Sequence, residues 1–388
     1  MTRGDKFALA AAISCIGIFA TAGSLILPVL TLNLEARGYS SALIGLFGAN
    51  IGLGAVIGTP FAPALVRRWG AGNVLFMLLL VIVAANLSYK LFDDSLAAWF
   101  AIYFAACLAL GLVFVVAETV ITALAPPARR SLILGLYATG FSLGFAAGPV
   151  MLRFTGIDGW TPFVVAAGLA ATAAALVRAA NIRKIAVPET GKSEFPRMFA
   201  LAPLPFICAF SLGATEMAVY DLLPVYARKL EYSVADAVFL ITIFSVGALL
   251  VQPAVGVVAD KFNVRRTLAA AAGCGVLGAV ALPFFLGGGA AAEWNWQNFP
   301  RMACFGIWGG LLMAVYPLGL AQMARFFAAG KLAAANALFG FSYGAGALFG
   351  PAATGAAMDI SPNGIAPALA FFAALPLAAI FLRRKTAA

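Results

Sequence analysis

The chain of 388 residues is 63% hydrophobic and only 10% charged, with a mean hydropathy of +0.99 and a formal net charge of +10. That composition excludes a water-soluble surface and defines a polytopic membrane protein, so the positive charge has no soluble domain through which to bind nucleic acid. The lack of any histidine excludes histidine-dependent metal sites, Ser-His-Asp triads and Cys-His pairs. With no Gly-rich phosphate loop and no cluster of catalytic acids, the chain is not expected to be an enzyme or to hold a cofactor or metal.

In chain order, the apolar runs predict spans at 6–30, 41–64, 73–91, 98–124, 131–152, 162–182, 201–227, 234–258, 266–287, 300–324, 332–357 and 364–383. About 20 residues cross the hydrocarbon, so about twelve spans account for the apolar share of the chain. The Gly, Ala and Phe content with dispersed Pro fits closely packed helices, and the ten-residue alternation of a membrane barrel is missing. The fold class is therefore all-α, with twelve transmembrane helices. The first run follows TRGDK, is longer than a signal-peptide core and lacks a cleavage site, which makes it a span. Cys15, Cys107, Cys208, Cys274 and Cys304 all fall within apolar segments and read as packing residues.

Basic residues in short loops stay on the cytoplasmic side. With the N-terminus inside, the cytoplasmic segments collect Arg3, Lys6, Arg67, Arg68, Arg129, Arg130, Arg178, Arg183, Lys184, Lys192 and Arg197 from the first half. The second half adds Lys261, Arg265, Arg266, Arg325, Lys331, Arg383, Arg384 and Lys385, a total of 19 of the 25 bases. Arg37, Lys90, Arg153, Arg228, Lys229 and Arg301 are left outside. Both termini are thus expected in the cytoplasm.

The longest charged connection, 183–200, separates a bundle at 1–182 from a bundle at 201–388, each of six spans. Short motifs recur between them. VRRWG at 66–70 corresponds to ADKFN at 259–263, and LPV occurs at 27–29 and 223–225. GFS followed by a spaced Gly occurs at 140–144 and 340–344, and Gly-Pro at 148–149 and 350–351. The near-constant offset indicates a duplicated six-helix unit.

Gly256-Val-Val-Ala-Asp260-Lys261-Phe-Asn263-Val-Arg265-Arg266 resembles the cytoplasmic loop signature of the major facilitator superfamily, G-x-x-x-D-R/K-x-G-x-R-R, with Asn263 in place of a glycine. The resemblance extends over nearly the whole chain. It looks closest to the YcaD-like branch through AETVITALAPPARRSLILGLY at 117–137, LLPVYARKLEYSVADA at 222–237 and YPLGLA at 316–321. It implies a transporter without specifying a substrate. In the first-half copy Arg67 replaces the aspartate and Pro63 the glycine, so any gating through this loop is asymmetric.

Asp260 ends the eighth span, and the eleventh span begins on the same side with unsatisfied N–H groups and a positive dipole end. The acid can latch that helix while Arg265 and Arg266 face anionic lipid, each worth about 1 kcal/mol; alternatively the cluster is a topology anchor alone. Gly256, Asp260, Lys261, Arg265 and Arg266 are the candidate gating residues.

Three acids fall inside apolar spans, where such groups are costly and usually face a cavity: Glu118 in the fourth, Glu216 and Asp221 in the seventh. The resemblance implies that the first, fourth, seventh and tenth spans line a central cavity. Glu118 shares a helix face with Gly111, Val115 and Thr122, and Glu216 stands one turn from Tyr220. The competing reading solvates Asp221 or pairs it with Arg228, and pairs Glu118 with Arg129. Without histidine, proton coupling has to use carboxylates.

Gly144, Gly148 and Pro149 in one half and Gly350 and Pro351 in the other give the small-residue spacing of close helix packing. The first set resembles the Gly-Pro motif of proton antiporters in the superfamily, incompletely because Val150, Met151, Leu152 and Arg153 follow it, and favours export over uptake. The expectation is a monomeric secondary active transporter of the inner (plasma) membrane, working by alternating access on a small-molecule substrate, with protons as the coupling ion and the lipid bilayer as its surroundings. A non-transporting membrane sensor on the same fold is the alternative, and a channel a third.

Overall fold

The computed structural model describes residues 3–126, 130–182, 195–287, 298–327 and 329–385. Among them are α-helices, one 3₁₀ turn at Thr59–Phe61 and no strand. In chain order the helices are α1 (Arg3–Ala36), α2 (Ser41–Gly48), α3 (Asn50–Gly58), α4 (Ala62–Trp69), α5 (Ala71–Leu91), α6 (Leu96–Leu124), α7 (Arg130–Thr155), α8 (Thr161–Ala180) and α9 (Phe195–Leu201). They continue as α10 (Pro203–Lys229), α11 (Val234–Lys261), α12 (Val264–Val280), α13 (Leu282–Leu286), α14 (Phe299–Met313), α15 (Val315–Phe326), α16 (Ala329–Ile360) and α17 (Ile365–Lys385).

The twelve expected spans each coincide with a helix or a run of consecutive helices. The second is α2 to α4, the ninth α12 and α13, and the tenth α14 and α15. All but the first of these interruptions, at Ala49, have a local cause: Pro60, Pro63, Pro283 and Pro317 stand at or just after the breaks, and a proline removes one backbone N–H from the helical ladder. Pro28, Pro149, Pro224, Pro253, Pro351 and Pro376 remain inside continuous helices. Eight segments of the described residues are long and apolar enough to cross a membrane: 6–36, 41–69, 71–91, 96–124, 161–180, 203–229, 234–261 and 299–326. The protein is an all-α polytopic membrane protein. The expected connection at 183–200 contains the start of α9, and its residues 183–194 lie outside the described residues.

Helix starts follow side-chain chemistry. Ser40 accepts from the Leu43 N–H at 3.3 Å, Ser95 from Ala98 at 3.2 Å and Ser233 from Asp236 at 3.1 Å, each satisfying a donor that the first turn leaves free. Asn263 does the same for α12, accepting from the N–H groups of Arg265 at 2.9 Å and Arg266 at 3.3 Å. The asparagine that departs from the loop signature is therefore a helix cap.

The described contacts group the chain into two compact units, Met1–Asn33 with Leu53–Glu189 and Leu34–Gly52 with Thr190–Ala388. The first has a core of Cys15, Ile16 and Phe19 from α1, Leu75 and Leu79 from α5, Val113, Val116 and Val120 from α6, and Ala170 and Val177 from α8. Here α7 lies close against α1. A Cβ at Gly144 would meet the Gly17 carbonyl oxygen at 2.1 Å, and one at Gly148 would meet Ser24 Oγ at 2.1 Å. Glycine is what permits that approach.

The second unit is organised on α10, which is buried along nearly its whole length and packs against α16, α17, α15, α11 and α2. A Cβ at Gly346 would lie 2.0 Å from the Phe210 carbonyl oxygen, and one at Gly350 2.1 Å from that of Ala214, so α16 approaches α10 backbone to backbone. Ser211 Oγ donates to the Phe372 carbonyl at 2.7 Å and ties α10 to α17. Trp308 Nε1 donates to the Gly275 carbonyl at 2.9 Å and ties α14 to α12.

Candidate functional site

The seventh-span acids both point inward in the second unit. Glu216 is 8% exposed, and its Oε2 accepts a hydrogen bond from the Tyr343 hydroxyl of α16 at 2.9 Å. Tyr220, one turn along α10, places a second phenol beside the same carboxyl. Aromatic rings enclose the group. Tyr220 meets Phe244 of α11 edge to face at 5.9 Å, and Tyr343 meets Tyr316 of α15 at 5.9 Å and 88°. A carboxyl held by hydroxyl donors within an apolar shell can take or release a proton, or face a cation, because hydrogen bonds stabilise its charged form where water does not.

Asp221 is 1% exposed and its Oδ2 has no hydrogen-bond partner. The competing reading, in which this acid is solvated or paired with Arg228, does not match the geometry. Arg228 Nη1 instead donates to the Tyr232 carbonyl at 2.6 Å, closing the end of its own helix. The cover over Asp221 is Gly48 of α2, where a Cβ would fall 2.0 Å from Oδ2.

Glu118 belongs to the first unit and is exposed on α6, while its neighbours Val116, Ala117, Val120 and Ile121 are fully buried in that unit's core. The acid thus projects from the face of α6 opposite the core. Thr122 and Val115 on the same stripe are half-buried, and Gly111 is buried with an ideal Cβ 3.0 Å from Ala55 Cα. Its suggested partner Arg129 lies outside the described residues.

In the loop from α11 to α12, Asp260 is exposed and makes no hydrogen bond or ion pair among the described residues. Lys261 is exposed as well, and a Cβ at Gly256 would meet nothing within 4 Å. Arg265 turns back onto the protein, where Nη2 donates to the Ile380 carbonyl of α17 at 2.9 Å. Pro149 and Pro351 are buried within α7 and α16.

Sequence reasoning missed Tyr343, Tyr316 and Phe244 as part of the Glu216 site. Tyr343 falls inside the repeated GFS-x-G element, where the glycines attract attention, and Tyr316 opens the YPLGLA stretch. Both signals were present but carried no spatial information about Glu216, which is 127 residues from Tyr343.

Helices of spanning length in a polytopic arrangement, with acids buried within the spans, define an integral membrane protein. The chain belongs to the Major Facilitator Superfamily, whose family model matches residues 9–351 and again 206–388. A relative from Bacillus subtilis (strain 168), the uncharacterized MFS-type transporter YfkF, is 26% identical over 395 residues, covering 98% of this chain and 95% of the relative. Among solved structures the fold resembles the nucleoside transporter NupG, with a TM-score of 0.73, 13% identity and 98% of each chain covered. It also resembles a bacterial homolog of the human lysosomal transporter Spinster in an inward-facing, unoccupied conformation, with a TM-score of 0.74, 14% identity, and 100% of this chain and 98% of the other covered. A peptide transporter, POT, in complex with sulfate matches with a TM-score of 0.73 and 14% identity over 96% of this chain and 94% of the other. At these identities the structures establish the fold.

Proposed function

We propose that this superfamily member is a proton-coupled secondary active transporter of a small molecule, with Glu216 as the coupling group. The observation that carries the reading is the buried Glu216 carboxyl held by Tyr343 from a second helix. Proton binding and release there changes the charge at the centre of the second unit, and alternating access converts that change into directional movement. Glu118, exposed on α6 of the other half, is the second acid of the pathway, with Thr122 beside it.

The two moving halves are 1–182 and 201–388, joined by 183–200. Both termini are cytoplasmic in the inner (plasma) membrane, and the protein works as a monomer. The loop carrying Asp260, Lys261, Arg265 and Arg266 closes the cytoplasmic side in the outward-open state. Asp260→Asn is expected to favour the inward-open form, and an unchanged distribution of electron-resonance distances between labels on the cytoplasmic ends, with normal transport, would reduce Asp260 to an anchor. Export is the direction read from the resemblance of Gly144, Gly148 and Pro149 to the antiporter motif, and the resemblance of the stretches at 117–137, 222–237 and 316–321 supports a YcaD-like branch.

The test is Glu216→Gln in proteoliposomes, with a substrate found by binding assays on a metabolite and drug panel. Accumulation against a gradient should be lost because a permanently neutral side chain cannot cycle its charge. Counterflow should survive if Glu216 carries a proton and fail if it binds a cationic substrate group. Full pH-driven transport in both Glu216→Gln and Glu118→Gln would refute carboxylate coupling at these positions.

A further inference from the structure

α2, together with Gly52 of the following α3, approaches α16 and α10 of the second unit through glycines. A Cβ at Gly45 would lie 2.1 Å from the Pro351 carbonyl oxygen, one at Gly52 2.2 Å from Leu348 N, and one at Gly355 of α16 2.2 Å from the Ser41 carbonyl oxygen. Gly48, between them, faces the Asp221 carboxyl of α10. The first turn of α2 is held separately: Asp359 of α16 accepts from the backbone N–H of Ser41 at 2.8 Å and of Ala42 at 3.0 Å, and Lys229 Nζ donates to Ser41 Oγ at 2.7 Å. Small residues alone show only that the helices approach closely. The unpartnered acid sealed beneath the glycine face is the second observation, and close packing gives no reason for it.

We infer that Asp221 is a proton-operated lock on α2: the helix docks over Asp221 only when the acid carries its proton, and loss of that proton requires α2 to withdraw. A neutral carboxyl is tolerated against the Gly48 backbone, whereas an ionised one would be sealed from water with no donor to compensate it. Of the other titratable groups on elements packed around α10, Asp260 and Lys261 stand at the far end of α11 from Asp221, and the following are engaged elsewhere. Tyr343 of α16 holds Glu216, Asp359 of α16 caps α2, Asp236 of α11 accepts from Ser233, and Arg301 of α14 donates to Asn298. α2 has no titratable side chain. The proton arrives while α2 is withdrawn, from the side that the proposed topology makes external, and leaves by the same route. The lock rests on the alternating-access reading above, because α2 must undock during the cycle. It differs from coupling at Glu216 in that it governs closure rather than transport stoichiometry.

The test is an electron-resonance distance between spin labels at Leu46→Cys on α2 and Ile360→Cys on α16, both exposed positions, with exposed Cys274 and Cys304 replaced by alanine. In the otherwise wild-type reconstituted protein the docked population should grow as pH falls, by up to about tenfold per pH unit for one proton. Asp221→Asn should stay docked at every pH. Gly48→Ala, which crowds the carboxyl, should be withdrawn at every pH and serves as an independent probe. Glu216→Gln should keep the pH response of α2, even if it stops accumulation. A pH response that survives in Asp221→Asn, that disappears in Glu216→Gln instead, or that is missing from the wild-type distances overturns the lock, as does a wild-type distance in Gly48→Ala. Transport measured with Glu216→Gln separately decides the coupling proposal.

Discussion

Asp359 shows how a single exposed residue can be tuned by its hydrogen bonds. Partial burial alone would raise its carboxyl, but the N–H groups of Ala42 and Ser41, the Ser40 hydroxyl and the charge of Lys229 outweigh it and hold the carboxyl below the ordinary carboxylate range. The folded state therefore prefers the ionised form. That contribution is fully present above the unfolded value of about 4 and is lost as pH falls through the lower folded value. In detergent, the thermal midpoint of the wild type should fall more steeply than that of Asp359→Asn as pH is lowered from about 5 to about 3. Parallel curves would show that the α2 contact contributes nothing to stability. At the same scale, the candidate acids were legible as charged residues in apolar spans, but their surroundings were not. The solvated or Arg228-paired alternative for Asp221 was reasonable on one helix; only the arrival of Gly48, from a distant part of the chain, seals the carboxyl.

At the scale of elements, the glycines fall into two classes that sequence spacing alone does not separate. Gly350 lies where a Cβ would strike the Ala214 carbonyl oxygen at 2.1 Å, while Gly256 faces open space. Gly350→Ala should force α16 from α10 and destabilise the protein by about 1–3 kcal/mol, the usual range for overpacking a well-fitted core. Gly256→Ala should leave the thermal midpoint unchanged or raise it slightly, since alanine favours a helix. Comparison of the two midpoints in one detergent checks both, and equal loss in both would mean that backbone approach is not what the α16 glycines provide. The repeated GFS and Gly-Pro elements made such packing readable in advance, because small residues at helical spacing have a direct physical meaning. The broken spans were less readable. Pro28 and Pro224 stay within their helices, whereas Pro283 and Pro317 stand at breaks, a difference set by tertiary context that the proline itself does not carry.

For the whole molecule, the fold class was legible because hydrocarbon imposes a length and a composition on every span. Orientation rests on the distribution of bases, with 19 of 25 assigned to one side. A cysteine placed at Gly191 should resist a membrane-impermeant reagent added outside intact cells, and strong labelling would invert the topology. Substrate chemistry was not legible, because superfamily membership fixes the helices and leaves the lining residues free to vary. The central claim, proton-coupled carriage of a small molecule, is tested most directly in proteoliposomes of the purified protein challenged with a broad metabolite and drug panel under an imposed pH gradient. The account predicts saturable movement of at least one compound against its own gradient, abolished by a protonophore and by Glu216→Gln. Non-saturating downhill flux, or specific binding with no flux of any compound, would contradict it.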